Sequence, residues 1–127
     1  MKEVPKISEA EWEVMKAVLR TQPCTAPQVI EALGSNADWS PATIKTLLNR
    51  LLAKGALTYV KDGRSYVYSA AFTETELRGS ALERFVEKVF DGSLSPLLAM
   101  FTGNGRRLKA EEIAALEKIV EEARRKP

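Results

Sequence analysis

The chain has 127 residues, 45% of them hydrophobic, and a net charge of only +2, enough for one domain plus an appendage around a core of its own. It has no histidine and a single cysteine, which excludes Ser-His and Cys-His nucleophile pairs, imidazole metal ligands and an internal disulfide. No apolar run approaches the ~20 residues of a membrane span, Met1-Lys2-Glu3-Val4-Pro5 has no signal-peptide core, and the acidic residues form no paired pocket, so the reading is a cytoplasmic protein that is no enzyme, holds no metal or cofactor and makes no direct membrane contact.

Ser8-Glu9-Ala10-Glu11 is a capping box: the serine caps, and the glutamate three residues on reaches back. A helix over about Glu9–Arg20 follows, with Trp12, Met15, Val18 and Leu19 on its buried side. Gln22-Pro23 ends it. Thr25-Ala26-Pro27-Gln28 is a second box, opening a short helix with Val29, Ile30 and Leu33 that stops near Gly34. Cys24 precedes this start. A helix N-terminus favours a thiolate, so a redox role stands beside the simpler one of a small semi-buried residue.

Ser35 to Trp39 turns the chain into its central stretch, Ser40 to Gly55. Ser40 caps a helix, Pro41 suits its first turn and Gly55 its left-handed exit. Ile44, Leu47, Leu48, Leu51 and Leu52 form one apolar face. Thr43, Thr46 and Arg50 form the opposite one, with Lys45 and Asn49 alongside. Short hydroxyl side chains suit base edges and the thymine methyl, and the cations suit phosphates. The spacing also fits an ordinary amphipathic helix with a solvated polar face. What favours DNA is the company it keeps: two short helices, a tight connection and a polar-faced second helix spell helix-turn-helix, with Trp39 wedging the turn against the core.

After Gly55 the hydrophobic period changes to two. Leu57–Val60 and Ser65–Tyr68 read as strands joined by Lys61-Asp62-Gly63-Arg64, in which Asp-Gly is a hairpin signal. A hairpin directly after the recognition helix is a wing, with Lys61 and Arg64 at a tip that reaches phosphates or the minor groove; the alternative is a merely solvated turn. Between Ser40 and Tyr68 lie five basic residues (Lys45, Arg50, Lys54, Lys61, Arg64) and one acid, Asp62, whereas Thr73–Pro127 balances ten against ten. A basic stripe beside a neutral segment suits a DNA-binding head joined to an interaction module.

Thr73-Glu74-Thr75-Glu76 is a third capping box, for a helix reaching about Asp91 with Leu77, Leu82, Phe85, Val86, Val89 and Phe90 on a broad apolar face. Ser93-Leu94-Ser95-Pro96 begins a short apolar piece through Leu97, Leu98, Met100 and Phe101. After a glycine-rich stretch, a last helix over about Lys109–Arg125 repeats Ile113, Leu116, Val120 and Ala123, with Ile119 beside them. These segments either fold back on the head or pair with a second chain; the second is the better account, because DNA-binding helices work in pairs on half-sites a helical turn apart. Leu82, Phe85, Val89, Leu94, Leu97, Leu98, Phe101, Ile113, Leu116 and Val120 are the candidate dimerisation residues. The fold expected is mainly α with a small β-hairpin wing: a winged helix-turn-helix over residues 1–72 and a helical dimerisation domain over 73–127.

Three stretches carry a family resemblance: Ile7-Ser8-Glu9-Ala10-Glu11-Trp12-Glu13-Val14-Met15, then Trp39-Ser40-Pro41-Ala42-Thr43-Ile44-Lys45-Thr46-Leu47-Leu48-Asn49-Arg50-Leu51 followed by Lys54-Gly55, and a Phe-x-x-Lys-Val-Phe-x-Gly-x-x-x-x-Leu-Leu pattern from Phe85 to Leu98. With the tyrosine-containing wing, they make the chain resemble, over nearly its whole length, the penicillinase-repressor (BlaI/MecI) family of bacterial winged-helix repressors, which includes a copper-responsive CopY branch. The resemblance implies a homodimer on a dyad-symmetric operator with a TACA/TGTA-type core. It puts Thr43 and Thr46 where bases are contacted, and Ser40, Lys45, Arg50 and Arg64 where the phosphate backbone is held. Ala42 stands where relatives often carry a basic residue, which removes one phosphate contact per half-site.

In the β-lactam branch a membrane sensor with a protease domain leads to cleavage before a phenylalanine in the dimerisation region, which matches Met100-Phe101. The staphylococcal pattern has asparagine at the position of Met100, and the two residues also read as plain dimer core. The copper branch uses a C-terminal cysteine cluster. Glu121 to Pro127 has none, and Cys24 alone makes no thiolate metal site, so direct copper sensing is rejected. Two other readings stand beside this one: a winged-helix protein-interaction module, against which the Thr/Lys/Arg face argues, and a repressor released by a small ligand, for which no polar cluster in an apolar pocket is visible.

Overall fold

Three helices begin with the same reciprocal device. Ser8 Oγ accepts from the Glu11 amide at 3.2 Å while Glu11 Oε1 accepts from the Ser8 amide at 2.9 Å. Thr25 and Gln28 repeat the arrangement at 3.4 and 2.8 Å, and Thr73 and Glu76 at 3.1 and 2.9 Å. Each box satisfies two backbone donors that would otherwise face water at a helix start.

The computed structural model describes residues 3–34, 38–100 and 108–125. The order is α1 (Glu9–Thr21), α2 (Ala26–Leu33), α3 (Pro41–Lys54), β1 (Leu57–Asp62), β2 (Ser65–Ala70), α4 (Glu74–Phe90), α5 (Ser95–Ala99) and α6 (Ala110–Arg125), the mainly helical architecture with a hairpin wing that the sequence implies. Of the connection between α2 and α3, residues 35–37 lie outside the described residues, as does Phe101.

The chain divides into two compact units, Met1–Arg84 and Phe85–Pro127. In the first, α1, α2 and α3 pack around Val14, Met15, Val18, Val29, Ile44, Leu48 and Leu51, all essentially closed to solvent. Each shows the 3.6-residue spacing of its helix. Trp12, Leu19, Trp39 and Leu52 lie against the rim of this core, half-buried. The wing is an antiparallel pair in the register Leu57↔Ala70, Tyr59↔Tyr68, Lys61↔Tyr66 and Asp62↔Ser65. Leu57 and Tyr68 anchor its inner end in the core.

The strands run further toward the tip than alternation alone suggests. Asp62 pairs with Ser65, so Gly63 and Arg64 form the two-residue loop, with Gly63 at φ +65°. A positive φ at the first central position only is the pattern of a II′ hairpin turn; Asp-Gly therefore marks the turn one residue ahead of its centre.

Cys24 is 1% exposed. Its backbone exchanges two hydrogen bonds with Tyr68, at 3.0 and 2.6 Å, a β-bridge that ties the start of α2 to β2. The semi-buried setting expected from sequence is in fact full burial. Redox reactivity needs solvent access, so the structure supports the packing role.

The opening turns of α4 belong to the first unit. Leu77 is buried in the same core, and the Arg84 guanidinium donates to the Val4 carbonyl at 2.8 Å. In the second unit Phe85 and Phe90 meet edge to face at 5.6 Å, and Asp91, at φ 50°, and Gly92, at φ 85°, end α4 in left-handed conformations. Among its described hydrophobic residues only Val86 is fully buried, while Phe85, Val89, Leu94, Leu98, Met100, Ile113, Leu116, Ile119 and Val120 are exposed. No described helix is long and apolar enough to cross a membrane.

Candidate nucleic-acid interface

One face of α3 is spent on the core, so the other is fixed by helical geometry. Ile44, Leu47, Leu48 and Leu51 are buried. Ser40, Thr43, Lys45, Thr46, Asn49 and Arg50 are all exposed. Ser40 Oγ accepts from the Thr43 amide at 3.2 Å and lies 3.1 Å from Thr43 Oγ1. Thr46 Oγ1 donates to the Ala42 carbonyl at 3.0 Å. The Thr46 proton is thereby committed to the helix. What it offers outward is acceptor lone pairs and a methyl group, chemistry that suits an exocyclic amine or a thymine methyl.

Lys45, Arg50, Lys61 and Arg64 form no ion pair among the described residues. Lys45 and Asn49 of α3 and Arg64 of the wing line one groove of about 290 Å³, closed on its far side by Thr25, Ala26 and Pro27 at the start of α2. Ser65, Tyr66 and Tyr68 complete it. The fold thus gathers three of the expected residues, from α3 and the wing tip, around one concavity. Thr43 and Thr46 do not line it, and neither do Arg50 and Lys61.

The tyrosines were not singled out from the sequence. The signal was available: in Ser65-Tyr66-Val67-Tyr68, strand alternation puts both rings on one face. Tyr66 stacks on Tyr59 at 4.3 Å and meets Tyr68 edge-on at 6.3 Å. Burial pushes the Tyr68 phenol pKa up, and the nearby Tyr66 and Cys24 add to the shift. The phenol therefore stays protonated wherever the protein is folded near neutral pH.

Lys54 departs from the basic stripe in which the sequence counted it. Its ammonium is bound to Glu11 Oε1 of α1 and donates to the Lys6 carbonyl at 2.8 Å. Glu11 is 3% exposed. Burial alone pushes its carboxyl up. The hydrogen bonds from Lys54 and the Ser8 amide, with the charge of Lys54, outweigh that and hold it below the usual carboxylate range. This cation staples the end of α3 to α1. It leaves Lys45, Arg50, Lys61 and Arg64 as the stripe proper. Among the described residues no cluster of three or more Cys, Asp or Glu side chains could hold a metal ion.

The penicillinase repressor family model matches residues 7–122. The chain is 38% identical to the penicillinase repressor of Bacillus licheniformis over 122 residues, 96% of this chain and 94% of that one. It is 33% identical over 115 residues to the methicillin resistance regulatory protein MecI of Staphylococcus aureus strain N315, 91% of this chain and 93% of that one. Among solved structures, the DNA-binding domain of the repressor BlaI aligns with a TM-score of 0.53 at 43% identity, covering 60% of this chain and 93% of that one. Monomeric BlaI of Bacillus licheniformis, in complex with the blaP half-operator, aligns at 0.52 with the same identity and coverage. With the capped α3 presenting its polar face beside a hairpin wing, these matches place the chain in the penicillinase repressor family of winged-helix transcriptional regulators.

Proposed function

We propose that the protein is a transcriptional repressor that binds a dyad-symmetric operator as a homodimer and is released by proteolytic cleavage in its second unit. The observation that carries the reading is the pairing, in one chain, of two unsatisfied surfaces. One is the unpaired basic and hydroxyl face of α3 with the wing. The other is the row of exposed apolar side chains from Phe85 to Val120. The first suits DNA, and monomeric BlaI, 43% identical over the 60% of this chain that it matches, has been solved on a half-operator. The second leaves nine large apolar side chains of the described residues in water, which marks an interaction surface, and a second copy of the same surface is its simplest complement.

In this reading Thr43 and Thr46 read base edges, Ser40, Lys45, Arg50 and Arg64 hold phosphates, Lys61 at the wing tip reaches phosphates or the minor groove, and Asn49 flanks the DNA face. Leu82, Phe85, Val89, Leu94, Leu97, Leu98, Phe101, Ile113, Leu116 and Val120 bury one another across the dimer. Cleavage at Met100-Phe101 by a sensor-linked protease severs α6 from the rest. Dimer affinity then falls, and with it the avidity that two heads give on one operator. Exposure of Met100 supports access to the bond, although Phe101 lies outside the described residues.

Footprinting of the full-length protein on the DNA upstream of its own gene, at moderate salt, tests the reading. The expected result is a two-fold symmetric protected site with half-sites about one helical turn apart. No protected site there, and none recovered by selection from random oligonucleotides, removes the DNA-binding role.

A further inference from the structure

The groove between α3 and the wing holds more than the residues that sequence assigns to DNA, and we infer that it is a built seat for one backbone phosphate of the operator, with the Tyr68 hydroxyl as an essential donor and Tyr66 as its neighbour. The inference rests on the DNA-binding reading above and adds to it a place and two residues.

Three observations meet there. Lys45 and Arg64 approach the groove from different elements, and neither is neutralised by an acid among the described residues. Two like charges converging without a counter-ion repel each other, and a phosphate relieves both. Tyr68, the second, is 6% exposed as a residue and lines the groove; its hydroxyl bonds to no described residue and is no buried orphan, so it is the part of the side chain that water reaches. An otherwise buried tyrosine that keeps only its O–H in a groove between two cations presents a fixed donor, and an anionic acceptor there replaces water with a stronger, charge-assisted bond. Third, the position is rigid. The Tyr68 backbone is bonded to Cys24, and its ring is held by Tyr66. Asn49 and Ser65 contribute further polar groups at the rim.

The start of α2 closes the groove but is not what makes the site. The Gln28 amide is taken by Thr25, and Pro27 has no N–H, which leaves the Ala26 amide. The acceptor chemistry required is a compact anion with several oxygens. A free phosphate ion and a DNA phosphodiester both offer it. The groove lies between the two elements that flank a duplex in winged-helix docking, and that selects the phosphodiester.

The test uses full-length protein, a random-sequence 30-bp duplex and fluorescence anisotropy over a range of salt. Tyr68→Phe removes only the hydroxyl. It should weaken binding about tenfold, the loss expected for one hydrogen bond to a charged acceptor, with an unchanged salt slope because no charge is lost. Its melting temperature should equal that of the wild type, since the hydroxyl has no partner in the free protein. Arg64→Gln should instead lower the slope by about one per head. Inorganic phosphate at millimolar concentration should compete no better than chloride at equal ionic strength; specific competition would make the seat a free-anion site and overturn its assignment to the duplex. Wild-type affinity in Tyr68→Phe, with Arg64→Gln still impaired, overturns the seat and leaves the DNA-binding reading standing. A wild-type protein that binds no duplex at any salt overturns both.

Discussion

Thr46 shows how one side chain divides its hydrogen-bonding capacity. The donor closes on Ala42, and the acceptor and methyl remain for a partner. Thr46→Ala should therefore cost about 1–3 kcal/mol on operator DNA and much less on random duplex. Arg50→Ala should weaken both. Parallel titrations of the two DNAs check this, and an equal loss on both for Thr46→Ala shows that the side chain reads no base.

Glu11 supplies a second expectation, now for stability. Its carboxyl is held low by Lys54 and Ser8 against the upward push of burial. The unfolded chain therefore binds the proton more readily. The stabilisation is complete above the ordinary carboxylate pKa and disappears as pH falls through the lower, folded one. Glu11→Gln should cost about 2 kcal/mol at neutral pH. The gap to the wild type should narrow as the solution is acidified below the ordinary range. Urea unfolding at several pH values measures it, and a gap that widens on acidification contradicts the pairing.

At the scale of the element, the helices were legible because their signals are local. Ser8 with Glu11, Thr25 with Gln28 and Thr73 with Glu76 are each three residues apart, and Ser40-Pro41 and Gly55 bracket α3 within its own sequence. What the chain did not disclose was long-range. Lys54 lies 43 residues from Glu11, and nothing in its neighbourhood distinguishes it from Lys45 or Arg50. The recognition face was legible, since Thr43, Thr46 and Arg50 follow from helical spacing alone. The groove was not, because it needs α2, α3 and the wing brought together. Local signals also predict local costs. Gly55 sits at φ +84° with open space where a Cβ would stand, so only backbone strain opposes a side chain. Gly55→Ala should destabilise by about 1 kcal/mol, and Gly55→Asn by less, as read from urea midpoints. Equal stability of all three would show that the left-handed exit is not required.

For the whole molecule, the free cations and most of the exposed aliphatic side chains are allotted to different units. The unpaired cations of Lys45, Arg50, Lys61 and Arg64 belong to the first unit, and the exposed aliphatic side chains belong mostly to the second. If each head neutralises about three phosphates, the dimer should show a log–log salt slope of about −5. A flat response in an anisotropy titration would remove the electrostatic contribution. Truncation after Met100 should leave mainly monomer by sedimentation, with weak operator binding and a slope cut by about half. A truncated chain that stays dimeric and binds tightly refutes both the role given to α6 and release by cleavage.

The bridge between Cys24 and Tyr68 has one more consequence. It fastens the wing at its base, so a thiol reagent can reach the sole cysteine only when that fastening opens. The alkylation rate of Cys24 is then a built-in clock for local opening of the wing root, slow in the closed state and set by the opening equilibrium. Because that root also positions Tyr68, any duplex that grips the groove should slow the clock, and the degree of slowing reads the coupling between DNA and wing without a label being added.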